Sequence, residues 1–157
     1  MRKEPVCSWD AETGVATFTI YYHNQTFVGK ATCHPDDEDM CNELTGCAIA
    51  ESRAAIAFYQ HIRDNELKPQ LKALKQYYYS MNRSKKFNPE SYEVYMLYRQ
   101  IENIKNDLNA IQEILQELRN SLSHYIQEKE NMYQSLRKLR AMRKGQEEST
   151  PNEETSK

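Results

Sequence analysis

The sequence is poor in the residues that build loops and large cores. Its 157 residues hold four glycines, five prolines, four phenylalanines and one tryptophan, and only 39% are hydrophobic. So few glycines and prolines exclude a loop-rich enzyme or a β-sandwich. A compact globule of this length has a larger apolar fraction to bury. A mean hydropathy of −0.90 therefore predicts an elongated, oligomeric or partly disordered chain. No apolar run approaches the ~20 residues of a membrane span. The formal net charge is −2, so no overall positive field draws the chain to nucleic acid. Met1-Arg2-Lys3-Glu4-Pro5 has no apolar leader core, and a cytoplasmic location is expected by default.

Catalytic patterns are also missing. The sequence has no phosphate-binding P-loop, no dinucleotide glycine fingerprint, no H-E-x-x-H and no G-x-S-x-G. Its histidines, His23, His34, His61 and His124, have no evident carboxylate partner. No enzyme, cofactor or metal is expected. The four cysteines, Cys7, Cys33, Cys41 and Cys47, lie in the first third. With no signal peptide, free thiols are expected. Cys33, His34, Cys41 and Cys47 lack the close pairs that zinc sites use.

What is present predicts an α+β chain. A small N-terminal antiparallel β-hairpin or sheet packs on a helix, and long coiled-coil-like helices follow. Residues 1–65 form a β-β-α head. Val15 to Cys33 reads as the hairpin, with β-branched and aromatic residues in alternation. Phe18, Ile20, Phe27 and Ala31 share its core face, His23-Asn24-Gln25 makes the turn, and Trp9 belongs to an earlier short strand. The acids Asp36 to Asp39 precede a helix over roughly Met40 to Asn65, where they favour its positive end. Ala48, Ala50, Ala54, Ala55 and Ala57 give that helix a small-residue face. Arg53 stands among these alanines, placed to reach a carboxylate or a phosphate.

Residues 66–88 hold a short helix from Pro69 to Met81 and a basic, aromatic loop, Asn82 to Asn88. Asn88 is the expected N-cap of the next helix, with Pro89 in its first position. Residues 89–144 then form a long heptad helix. One series is Val94, Ile101, Leu108, Leu115, Leu122, Lys129 and Leu136. The other is Leu97, Ile104, Ile111, Leu118, Tyr125, Met132 and Leu139. Thirteen of these fourteen positions are apolar, which predicts a coiled coil or a bundle helix. A homodimer is the simplest partner, and folding back near Ser121 to His124 is the alternative. Five cations fall between Arg137 and Lys144, more than a helix dipole needs, and they suit an anionic ligand. Gly145 is the expected C-cap, and residues 145–157 form a disordered tail. Eleven of the sixteen aromatics are tyrosines. Several flank the Asn82 to Asn88 loop, and aromatic faces beside cations suit a nucleotide.

Gly29-Lys30-Ala31-Thr32-Cys33-His34-Pro35-Asp36-Asp37, followed by Gly46, Ile49-Ala50 and Arg53-Ala54, has the pattern G-x-A-x-C-x-P-x-D…G-x-x-I-A-x-x-R-A. This stretch resembles the phage Thoeris anti-defence signal sponges, over about residues 15–65. Its β-β-α segment is also similar to small bacterial domains with a double-stranded-RNA-binding-like fold. The sponge resemblance implies a non-catalytic phage protein that sequesters a cyclic ADP-ribose-type or cyclic oligonucleotide immune signal in the host cytoplasm. It implies Arg53 in a ligand pocket at a dimer interface. By residue type and order it also implies Phe87 stacking a base, Asn88 beside it, and Arg99, Arg137 or Arg140 on phosphate. The other readings are a coiled-coil interaction protein that inhibits or bridges a host protein, and a nucleic-acid-binding module.

Overall fold

The structure, a computed structural model, describes residues 4–33, 41–84 and 86–147. It is α+β, with an N-terminal three-stranded antiparallel sheet followed by long helices. The expected acidic turn at 36–39 and the tail beyond 147 lie outside the described residues.

Strands β1 (Val6–Asp10), β2 (Val15–Tyr22) and β3 (Gln25–Thr32) pair in sequence order. Trp9 does lie in an earlier strand. Asp10 closes the first turn by accepting from the Glu12 and Thr13 amides and the Thr13 hydroxyl. The second turn is tighter than expected, because Tyr22 already pairs with Gln25. His23 takes the left-handed conformation there, with φ of 51°.

The register sets Ala16 opposite Ala31, Phe18 opposite Gly29 and Ile20 opposite Phe27. Directly paired residues share a face, so the alternation puts Phe18, Ile20, Phe27 and Ala31 on the core side, as expected. Helix α1 (Glu43–His61) lies across this face. Asn42 caps it, its carboxamide oxygen accepting from the Thr45 amide at 2.7 Å. Ala16, Ala50 and Ala54 are fully buried, so small side chains let sheet and helix approach closely.

Helix α1 does not stop at Asn65. A π-helical segment, Ile62–Leu67, carries it into α2 (Lys68–Asn82), and Pro69, which has no amide hydrogen, cannot donate to the helical turn that precedes it. Asp64 holds this junction. Its carboxylate accepts from the Arg63 guanidinium at 2.7 Å and the Lys68 ammonium at 2.7 Å. Arg63 also donates to Gln112 of the last helix.

The Arg63 guanidinium, then the Lys68 ammonium, hold the Asp64 carboxyl well below the usual carboxylate range. A carboxylate depressed in the folded state stabilises the fold above its unfolded pKa of ~3.9 and loses that contribution as pH falls towards the folded value. Asp64→Asn should therefore lower the urea midpoint at neutral pH, modestly because the side chain is 40% exposed. The gap to the parent should narrow steadily below about pH 4. A gap that stays constant from pH 7 to pH 3 would remove this account.

Helix α3 (Tyr92–Glu147) is continuous for 56 residues, about 84 Å at 1.5 Å per residue. It does not fold back near Ser121. Its N-cap is Ser91, whose hydroxyl accepts from the Val94 amide. Asn88, the expected cap, instead accepts from the Glu90 amide in a local turn. Gly145 lies inside the helix and does not end it. The helix runs antiparallel to α2 and α1, so the chain itself covers part of the heptad stripe. Val94, Leu97, Ile101 and Leu115 are buried there.

The expectation of free thiols is overturned. Cys7 is bonded to Cys47 and Cys33 to Cys41, with Cα separations of 6.2 and 6.1 Å. The physical reason is strand β1. It sets Cys7 beside the first turns of α1, while Cys41 returns to the end of β3. Both pairings depend on tertiary placement that cysteine spacing alone does not give.

Candidate functional site

A cleft opens where the first turn of α1 meets the sheet end and α3 passes over both. Gly46 lets that turn sit on the sheet: a β-carbon there would lie 2.9 Å from the Trp9 ring and 3.0 Å from Ala16. The cleft has a volume of about 170 Å³. Trp9, the Cys33–Cys41 disulfide, Asn42 and Thr45 form one side, and Ile126, Lys129, Glu130 and Tyr133 of α3 form the other.

Two aromatic rings, a cation and the positive end of a helix dipole therefore border one small, largely apolar space. Lys129 sits over the Tyr125 ring at 5.3 Å. Glu130 lies 3.9 Å from Arg137. Residues 126, 129, 130 and 133 define one face of α3, and steps of three and four carry that face on to Arg137, Arg140 and Lys144. The stripe that is apolar against α1 and α2 thus becomes cationic beyond the head.

The residues expected to bind a ligand do not come together in one chain. Arg53 lies on α1 at the sheet and donates to the Lys30 carbonyl of β3. Phe87 packs edge-on against Tyr78, with ring centroids 6.4 Å apart, in the turn between α2 and α3. Asn88 lies in the same turn. Arg99 is exposed on the second turn of α3. About 30 helical residues separate Arg53 from that turn, roughly 45 Å. Arg137 and Arg140 lie beyond the head at the opposite end, next to the cleft. Of the six candidates, those two extend the α3 wall of the cleft.

Sequence reasoning missed Trp9, Asn42, Lys129 and Tyr133 as site residues. Lys129 gave a signal, since it is the one charged position in the heptad series. It marks where the stripe leaves its helical partner and meets the head.

A second polar cluster surrounds the π segment. Tyr22 donates to Glu66 at 3.2 Å, and Glu66 lies 3.8 Å from the His61 ring nitrogen Nε2. His61 leans on Phe27, with ring centroids 5.1 Å apart. Desolvation, then the Glu66 carboxylate, raise the Tyr22 phenol above its ordinary pKa. His61 thus has the carboxylate neighbour that the sequence did not reveal, as does His124 with Glu128 at 3.3 Å. The Tyr22–Glu66–His61 cluster ties the sheet to the start of the helical hairpin.

Among the described residues, no group of three His, Cys, Asp or Glu side chains is placed to hold a metal. No helix among them is long and apolar enough to cross a membrane. The chain matches no family model, no curated protein and no solved structure.

Proposed function

We propose that this protein is a non-catalytic phage anti-defence protein that captures a cyclic nucleotide-derived immune signal in its host's cytoplasm. The cleft between the head and α3 carries this reading. Trp9 and Tyr133 offer aromatic faces to a base. Lys129 and the α1 N-terminus offer positive charge to a phosphate. Arg137 and Arg140 extend that charge past the mouth. A space of about 170 Å³ takes one ring system, and the anionic remainder would lie on the cationic face of α3. The motif resemblance over residues 15–65 supports the same ligand class. Arg53, bound to the Lys30 carbonyl, has the part of fixing β3 to α1.

Cyclic ADP-ribose isomers and cyclic dinucleotides should raise the melting temperature by several degrees. A ligand at a hundredfold excess over its Kd adds about 2.7 kcal/mol, which is about 5–10 °C for a chain of this size. Lys129→Ala should lose most of that shift. A panel that gives no shift with the parent protein overturns the reading. The disulfides set a further condition. Such bonds persist in oxidising compartments, so capture in a cytoplasm requires that the reduced chain bind as well. The same titration with reductant tests this.

One observation favours a second reading, that of an interaction protein. Tyr77, Tyr79, Tyr92, Tyr95 and Tyr98 are each more than half exposed near the far end of the helical hairpin. Exposed tyrosines beside Arg83 and Arg99 have the composition of protein interface anchors. One stoichiometric host partner, lost on Tyr95→Ala and Tyr98→Ala together, would support it over capture.

A further inference from the structure

We infer that the α2–α3 hairpin binds single-stranded nucleic acid on the face that carries Lys72, Lys75, Tyr79 and Tyr98. This site is separate from the cleft. It gives to bases three of the tyrosines that the interaction reading gives to a host protein.

The charge of the chain is unevenly placed. Residues 68–89 hold six of its 21 cations and none of its 23 acids. A chain of net charge −2 thus has one strongly basic segment, α2 and the turn after it. At 100° per residue Lys68, Lys72, Lys75 and Tyr79 fall within about 60° of one another, so α2 presents three cations and a ring along one flank. Its other flank, Gln70, Ala73 and Leu74, lines an uncharged groove with Gln100, Asn103 and Ile104 of α3.

Helix α3 supplies the rest of the basic face. Tyr95, Tyr98, Glu102 and Lys105 fall within about 80° of one another, on the side away from that groove. Lys105 links the two helices. Its ammonium is held above its ordinary pKa chiefly by the Glu102 carboxylate, which accepts from it at 2.6 Å, and the Tyr98 and Tyr79 phenols add to the effect. Tyr79 of α2 and Tyr98 of α3 therefore stand on the same face. Both lie towards the tip from the lysines, since Tyr79 follows Lys75 by about one turn and Tyr98 precedes Lys105 by about two.

Two carboxylates border this face and both are engaged, Glu102 by Lys105 and Asp64 by Arg63 and Lys68. Among the described residues no ion pair engages Lys72 or Lys75. Tyr79, Tyr95 and Tyr98 are each more than half exposed. Open rings at one end of an unneutralised lysine track are the two parts of a single-strand site: aromatic faces stack bases, and cations follow the backbone. Stacking needs an unpaired base, so a duplex does not fit. An acidic peptide would use the lysines and leave the ring faces idle. The five cations of residues 137–144 have no aromatic residue among them and lack the stacking part.

The experiment is fluorescence anisotropy of a labelled oligothymidylate of about 12 nucleotides, titrated with the full chain over a range of salt. The dissociation constant should be about 1–100 µM near physiological salt. Lys72→Ala with Lys75→Ala should flatten the log–log salt slope by about 1.4, the share of two phosphate contacts on a single strand. Tyr79→Ala with Tyr98→Ala should weaken binding about tenfold or more at every salt and leave the slope unchanged. Tyr79→Phe with Tyr98→Phe keeps the rings and should bind like the parent. Circular dichroism should show unchanged helix content in every variant. A parent that does not bind at low salt overturns the proposal. So do a slope that the lysine pair leaves unchanged, and a phenylalanine pair as weak as the alanine pair. A duplex of the same length or a polyglutamate peptide that binds as tightly as the single strand also overturns it.

Discussion

Gly29→Ala should unfold the head. Gly29 lies on β3 opposite Phe18, where the strand passes closest to α1. A β-carbon at this position would collide with the Ala50 carbonyl oxygen and the Ala54 amide nitrogen. Both obstacles are helix backbone, so no rotamer change makes room. The neighbouring contacts are equally tight, since Ala50 and Ala54 are fully buried and Ala31 is 6% exposed. Relief requires α1 to lift from the sheet, which opens the Ala16, Ala31 and Ala50 core.

Overpacking in a well-filled core costs about 1–3 kcal/mol where side chains can adjust. A clash with rigid backbone should exceed that, and a loss above 3 kcal/mol is a large part of the roughly 5–15 kcal/mol that holds a domain together. Trp9, the sole tryptophan, packs against this core and reports the head specifically. Its fluorescence in urea should show a midpoint near zero denaturant for Gly29→Ala. A loss below about 1 kcal/mol would mean that sheet and helix are not in this contact.

Gly29 also shows what was legible before the structure. Alternation of β-branched and aromatic residues assigned the hairpin and its inward face, because a strand's side chains have a fixed period of two. The alanine run predicted close packing on a sheet. The heptad series gave a long helix, because periodicity survives without knowledge of the partner. What covers the stripe was not legible. Covering by α1 and α2 and covering by a second copy place the same demand on residues 94–115, and only the antiparallel return of the chain decides between them there. The π segment was invisible for a related reason. Asn65, Glu66 and Leu67 are compatible with a helix end, and the interactions that carry the helix through run to Lys68, Tyr22 and Gln112.

The cleft was harder to read still. Trp9, Asn42, Lys129 and Tyr133 come from four separate stretches, and each has a mundane local role: strand residue, helix cap, seam exception and helix aromatic. The stretch from 82 to 88, by contrast, sets three cations and an aromatic within seven residues. In the structure Phe87 is spent on Tyr78 and Asn88 on its own turn. Local density of suitable residue types is a poor guide where a turn between helices consumes them.

Removing the Cys7–Cys47 bond should be the other severe change, and it should act on β1. That strand is an edge strand with five paired positions to β2. Its residues are exposed except Trp9, which is half-buried. Little apolar burial therefore holds it, and the bond to α1 is its strongest tie. The bond spans 40 residues. Chain entropy lost from the unfolded state over such a loop is worth about 4 kcal/mol. Cys33–Cys41 spans only 8 residues, for which the same relation gives about 2.5 kcal/mol.

The two bonds should thus separate by effect and by reporter. Cys7→Ser with Cys47→Ser should lower stability by about 4 kcal/mol and release Trp9 from Ala16 and Gly46, with a red-shifted emission already in native buffer. Cys33→Ser with Cys41→Ser should cost less and leave the Trp9 emission in place, since that bond joins the end of β3 to the start of α1 without touching β1. Equal losses from the two pairs, or an unchanged Trp9 spectrum in the first, would show that hydrogen bonding to β2 alone secures the strand. Trp9 is one wall of the cleft, so the first pair should also weaken any ligand that stacks there.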